Sequence, residues 1–167
     1  MDIKLKVTMV ERDLGGDELF AKIKDAARWA VNTGFFSDSP THPESGLPMA
    51  SHALAMEHGS MLQNRPERPF MRVSADKNLD AVRRASERYA KFLVTMGTRS
   101  AAKDRMLLLG DHMAAIMREQ LMSGDGMAEL QPETVEKKAK AGNPHPGTPL
   151  LASMAMHDAI SSKVVRN

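Results

Sequence analysis

The side chains best suited to proton transfer or metal binding near neutral pH are six histidines, His42, His52, His58, His112, His145 and His157. Their spacing assembles neither function. There is no His-Glu-x-x-His, and His52 and His58, six residues apart, fall on opposed sides of a helix. His52 and Glu57 can be drawn as a base and an acid, but a histidine on a helix face is ordinarily solvated or bonded locally. The carboxylate pairs Glu44 with Glu57, and Asp104 with Asp111, have no supporting context and read as surface charge. Gly15-Gly16 and Gly124-Asp125-Gly126 lack the glycine spacing and the Lys-Ser/Thr pair that cradle phosphates. No Gly-x-Ser-x-Gly nucleophile elbow occurs. Cysteine is missing altogether, which excludes thiol nucleophiles, disulfides and thiolate metal sites. The expectation is a non-enzymatic chain with no catalytic, cofactor-binding or metal-ligating set.

The chain that must position these residues has 167 of them, enough for a single domain over 1–167 with its own core. Apolar residues make up 42% and charged residues 26%, ordinary for a globular protein. Fourteen methionines against one Trp, one Tyr and five Phe predict an adaptable core, because flexible thioether side chains fill irregular gaps. No run of about 18 apolar residues is present, so no membrane partner is expected. The opening Met1-Asp2-Ile3-Lys4-Leu5-Lys6 alternates charge and apolarity, unlike a secretory leader.

Charge is uneven along the chain. Between Asp76 and Arg105 there are eight Lys or Arg against four acids. That face is either solvated or turned toward an anionic partner such as DNA, with Arg83, Arg84 and Arg88 as the candidate DNA-facing residues. No aromatic residues are interleaved there in a way that suggests base stacking.

Periodicity supplies the elements. Ile3 to Val10 alternates as a half-buried strand. Asp17, a candidate N-cap, opens an amphipathic helix to Ala27 through Leu19, Phe20 and Ile23. Residues 28–36 alternate again, with Trp29, Val31, Thr33 and Phe35 on one face. Ser37–Pro48 is turn-rich, Pro48–Glu57 forms a short helix closed by Gly59, and Ser60–Pro69 is a loop. Phe70, Arg72 and Val73 suggest a short extended piece. Leu79, Val82, Ser86, Tyr89, Phe92, Leu93 and Met96 predict a long helix capped by Asp76 or Asn78. Ala102 to Leu121 predicts a second, after a break at Gly97-Thr98. These two should supply much of the core. Pro132 begins a short helix with acids first and lysines last, as the macrodipole favours. Asn143–Pro149 is an exposed loop, Leu150–Met156 offers one turn, and Ile160–Val165 a last strand. The predicted fold is α+β: a small, mostly antiparallel sheet from the N-terminal, 28–36 and C-terminal strands, packed against two or three long helices. Mobile loops are expected near 37–48, 60–69 and 142–149.

The order of several short motifs is more specific than any one of them. Gly46-Leu47-Pro48-Met49-Ala50, then Ala53 to Glu57-His58-Gly59, then Pro66-Glu67-Arg68-Pro69-Phe70-Met71-Arg72 resembles a block of phage tail-completion proteins. In that family a short helix ending in Glu-aromatic-Gly precedes a Pro-x-Arg-Pro-Phe-hydrophobic-Arg segment, and His58 stands here at the aromatic position. The family's Leu-Gly step is similar to Leu109-Gly110. Its Leu-x-Pro-x-Thr-x-x-x-Lys segment is similar to Leu130–Lys138, and its Pro-Leu-hydrophobic-x-Thr/Ser element to Pro149–Ser153. Met154 stands where a glycine usually follows.

The resemblance covers about residues 28 to 165. It implies a virion protein of the head–tail neck, made in the host cytoplasm, that completes the tail as a ring, a hexamer by expectation. The implied partners are copies of itself and the connector, tail-terminator or tail-tube proteins, with genomic DNA passing through the channel without sequence-specific binding. Arg65, Arg68, Phe70, Arg72, Pro149 and Leu150 become candidate inter-subunit contacts, the arginines by bonding carboxylates or carbonyls across a boundary. Pro69-Phe70 anchoring a loop on the core is the competing reading. A head-to-tail stopper, a tail terminator and a DNA-binding module are the alternatives.

Overall fold

A computed structural model describes residues 15–62, 64–96, 99–151 and 153–166. The expected strand at Ile3–Val10 and the break at Gly97-Thr98 lie outside them. The described elements run in the order α1 (Gly16–Ala26), β1 (Trp29–Gly34), α2 (Met49–His58), α3 (Phe70–Met96), α4 (Arg99–Ser123), α5 (Pro132–Lys140), α6 (Ala155–Ala159) and β2 (Ser161–Arg166). This is a small α+β fold. Among the described residues the sheet has two antiparallel strands, β1 and β2, registered from Trp29 opposite Arg166 to Gly34 opposite Ser161. The turn-rich 37–48 segment is closed by a Thr41–Pro48 bridge. Gly15, not Asp17, occupies the N-cap of α1, with φ of 86°. Asp17 and Glu18 sit instead in the first turn, where the helix dipole favours acids.

The sheet lies on α4. Gly110 makes this contact possible, because a Cβ there would stand 2.4 Å from Val31 Cγ2 and 2.7 Å from Ser162 Cβ. Ser162 Oγ donates to the Asp111 carboxylate at 2.6 Å. Farther along α4, Arg118 donates to the His157 carbonyl at 3.3 Å and to the Ile160 carbonyl. Gly110→Ala gains about 1 kcal/mol of helix propensity. It also drives a methyl into a β-branched side chain and a strand Cβ, an overpacking cost of about 1–3 kcal/mol. The expected net result is a loss of up to about 2 kcal/mol in urea denaturation, although alanine is the better helix former.

The core gathers Met49, Ala53 and Met56 of α2, Phe70 of α3, Ala114, Met117 and Leu121 of α4, Met127, Leu151, and Met156, Ala159 and Ile160 around α6. Phe35 meets Phe70 edge to face, 5.9 Å between centroids. Methionine therefore carries the packing, as its abundance suggested.

Two expectations about α3 change. Its start is not extended at Phe70–Val73 and not capped at Asp76 or Asn78; the first helical bond runs from the Val73 N–H to the Pro69 carbonyl. Asn78 lies inside the helix and bonds back to the Ser74 carbonyl. Nor does α3 share the core equally with α4: among its described side chains the buried ones, Phe70 and Ser74, lie in the first turns, and Leu79 is 67% exposed. Its apolar residues are met by α4 and, less extensively, by α1, whereas β1 and β2 cover the other side of α4. The two helices run antiparallel, with Lys77 near Gln120 and Phe92 near Arg105.

Candidate functional site

The block from Glu57 to Arg72 folds into a latch. Gly59 closes α2 with φ of 65° and ψ of −167°, a backbone conformation open essentially to glycine. The chain then makes a tight turn in which Ser60 and Arg65 exchange two backbone hydrogen bonds of 2.9 Å. Met61 and Leu62 project from its tip at 100% and 101% exposure. The chain returns through Arg68, whose N–H donates to the Met56 carbonyl. Glu57 is 3% exposed. Its carboxylate accepts from the N–H groups of Met71 and Arg72, at 2.9 and 3.0 Å, and from Arg72 Nε at 3.1 Å. Arg72 Nη2 reaches the Glu57 carbonyl at 3.2 Å and the Glu67 carboxylate at 2.8 Å. Glu67 first, and Glu57 second, hold the Arg72 guanidinium above its usual range.

Several candidate contacts are thus internal. Phe70 is fully buried and anchors the loop on the core, so it is not available to another subunit. Pro149 is buried, its ring close to Gly124, and Leu150 is half-buried with φ of 64°. Arg72 is half-exposed yet engaged by two carboxylates of its own chain. Arg65 and Arg68 differ. The Arg68 Nε is buried with no hydrogen-bond partner among the described residues. Burial, then Arg65, pushes its guanidinium below the ordinary value. Burial and Arg68 do the same to Lys138, against a smaller opposing effect of Glu44. Lys138 bonds the His145 and Thr148 carbonyls at 3.4 and 2.6 Å, holding the 143–149 loop. Arg65 thus lies beside Met61 at the surface, whereas the Arg68 Nε is turned inward.

The pair drawn from His52 and Glu57 does not form, and the His–carboxylate contact present is His157 Nδ1 with Asp158, at 2.8 Å on the surface. Glu57 is engaged by α3, and His52 instead stacks on the buried His42, with centroids 3.8 Å apart and rings 13° from parallel. Ser45 joins both, its N–H donating to His42 Nδ1 at 3.3 Å and its hydroxyl 3.1 Å from His52 Nδ1. Burial first, then His42 and Arg65, hold the His52 imidazole below its ordinary pKa, with Glu44 opposing. The unfolded chain titrates near the ordinary value of about 6.5 and there binds a proton that the folded chain refuses. Stability from this site is present above that value and falls as pH drops through it. Thermal melts between about pH 7.5 and 5.5 should show a shallower loss for His52→Gln than for the wild type.

A second feature lies farther along α3. Between α3 and α4 runs a groove of about 630 Å³, lined by Arg84, Arg88 and Arg105 together with Tyr89, Phe92 and Leu108. Arg105 covers the Phe92 ring at 4.9 Å. The Tyr89 hydroxyl is buried with no hydrogen-bond partner among the described residues, and burial pushes its pKa up. The basic stretch therefore does meet aromatic residues, which linear order concealed because Arg105 belongs to the facing helix. Arg83, Arg84 and Arg88 are all exposed, but they do not act together. Arg83 turns aside to pair with Glu87 at 3.2 Å, while Arg84 and Arg88 line the groove.

Among the described residues no group of His, Asp or Glu could hold a metal ion, and no helix is long and apolar enough to cross a membrane. No family model, no curated protein and no solved structure matches the chain.

Proposed function

We propose that the chain is a non-enzymatic structural subunit of a phage head–tail neck, a tail-completion protein that assembles into a ring around the DNA channel. The observation that carries this reading is the closed turn at 60–65. It presents two fully exposed apolar side chains, Met61 and Leu62, on a backbone fastened at both ends. An isolated monomer gains nothing from exposing them, whereas a neighbouring subunit can bury them. Arg65 lies beside this tip, lining a surface hollow with Met61 and Gln131, where it can bond carboxylates across a boundary.

The order of motifs also supports the reading, and at one departure from the family pattern the change is in residue type and not in backbone. Met154 stands where a glycine usually follows, yet it holds φ of 59°, the left-handed conformation that favours glycine. The local backbone thus keeps the form of the glycine motif.

Mass photometry and negative-stain microscopy of the purified protein test the proposal. Closed rings, with six copies expected, should be seen, and Met61→Ser with Leu62→Ser should dissociate them. A monomer at every concentration, alone and with connector and tail proteins, would overturn it. Localisation in purified particles then separates tail completion from a stopper or terminator role.

A further inference from the structure

The groove between α3 and α4 faces away from the sheet. Along α4, Gly110 touches β1 and β2, while Arg105, Leu108 and His112 line the groove. Its position on the opposite face follows from the helical period of about 100° per residue. The surface is amphipathic in an unusual sense. Its rim is cationic, and no acid lines it. Among the described residues no carboxylate pairs with Arg84, Arg88 or Arg105. Its floor is apolar and shallow, since Ala81 and Ala85 lie one turn apart on α3. Leu108 is 59% exposed at its edge.

These features select one class of occupant. A second copy meeting the groove through the same face would set arginines against arginines. A duplex would answer the arginines with phosphates, but it has no apolar group for Leu108 and cannot enter a cleft between helices packed about 8–10 Å apart. A helix fits both halves of the surface. Small residues one turn apart let another helix approach closely, and arginines one turn apart match acids one turn apart on that helix. We propose that the α3–α4 groove docks an amphipathic helix of a partner protein, its apolar stripe on Ala81, Ala85 and Leu108 and its acidic flank on Arg84, Arg88 and Arg105. This surface is separate from the 60–65 turn, so the two readings stand or fall independently.

The test uses fluorescence anisotropy with the full chain and a synthetic helical peptide of about five turns, with leucines at three- and four-residue spacing and glutamates along one flank. The comparison probes are the same peptide with Gln for Glu, the same with Lys for Glu, and a labelled oligothymidylate. The acidic peptide should bind, and the Gln form should bind about tenfold or more weakly. Arg84→Glu with Arg88→Glu should abolish binding of the acidic peptide and admit the Lys form. Leu108→Ser should weaken whichever peptide binds. All three positions are exposed, so the variants should retain the wild-type helical circular dichroism. Failure of the acidic peptide to bind, or binding indifferent to these substitutions, would overturn the proposal. Tighter binding of the oligothymidylate with the same dependence on Arg84 and Arg88 would also overturn it, and would assign the groove to single-stranded nucleic acid. Neither result bears on ring formation, which mass photometry of the same variants reports separately.

Discussion

Glu57→Ala should lower the stability of the protein by about 3 kcal/mol and its melting temperature by about 10 °C. The carboxylate is 3% exposed and caps α3 from outside that helix, accepting from the N–H groups of Met71 and Arg72 and from Arg72 Nε. Alanine leaves two helix N-terminal donors without their acceptor and a guanidinium without one of its two carboxylates. A partly buried donor that loses its acceptor costs about 1–3 kcal/mol. The Arg72 contribution is smaller, because that side chain is 51% exposed and water screens it. Glu57→Gln keeps the volume and one carbonyl acceptor and should lose about half as much. Glu67→Gln removes the exposed partner of Arg72 and should cost under about 1 kcal/mol. Thermal melts of the three variants give the ranking, and equal losses for Glu57→Ala and Glu67→Gln would refute the capping argument.

Gly59→Ala should be at least as damaging, at about 3–5 kcal/mol, for a different reason. A Cβ at this position would lie 2.6 Å from the Arg65 carbonyl oxygen and 2.6 Å from the Glu67 nitrogen. Both are backbone atoms of the returning arm of the loop, so no side-chain rotation relieves them. The φ of 65° adds its own penalty for any residue with a side chain. Gly46→Ala separates the two effects. Gly46 has φ of 67° but open space around it, so its substitution carries the backbone strain alone, about 1–2 kcal/mol. Urea denaturation of both variants should show Gly59→Ala well beyond Gly46→Ala, with an unchanged denaturant slope. Comparable losses would mean that the latch yields without cost. Because the latch supports the 60–65 turn, any folded fraction of Gly59→Ala should also assemble poorly.

Much of this architecture was legible locally. The alternation at 29–34 and 161–166, the helical spacing from Leu79 onward and the Pro132 start each depend on neighbours within a few residues. What escaped reading depends on distant ones. The cap of α3 comes from Glu57, fourteen residues before Met71, and no rule about adjacent residues anticipates it. The apolar stripe of α3 looks the same whether a sheet or other helices cover it, and the strands chose α4 because Gly110 lets them approach. Arg65, Arg68 and Arg72 look equivalent in sequence, yet among the described residues Arg72 has two carboxylate partners and the Arg68 Nε has none. The groove needs Arg105 and Leu108 opposite Arg84 and Arg88, a juxtaposition that exists only once the hairpin has closed.

The pairing of Trp29 with Arg166 has a kinetic side. Joining β1 to β2 closes a loop of about 130 residues, an entropic cost on the order of 4 kcal/mol that neither strand can offset alone. The α3–α4 hairpin needs only nearby contacts and should form early, in the time range typical of local helical structure. The sheet can then settle on a surface already prepared, with the Gly110 notch waiting for Val31 and Ser162. Folding should therefore show a fast helical phase and a slower one reported by Trp29 fluorescence. Hydrogen exchange at β1 and β2 should open before the centre of α4 does.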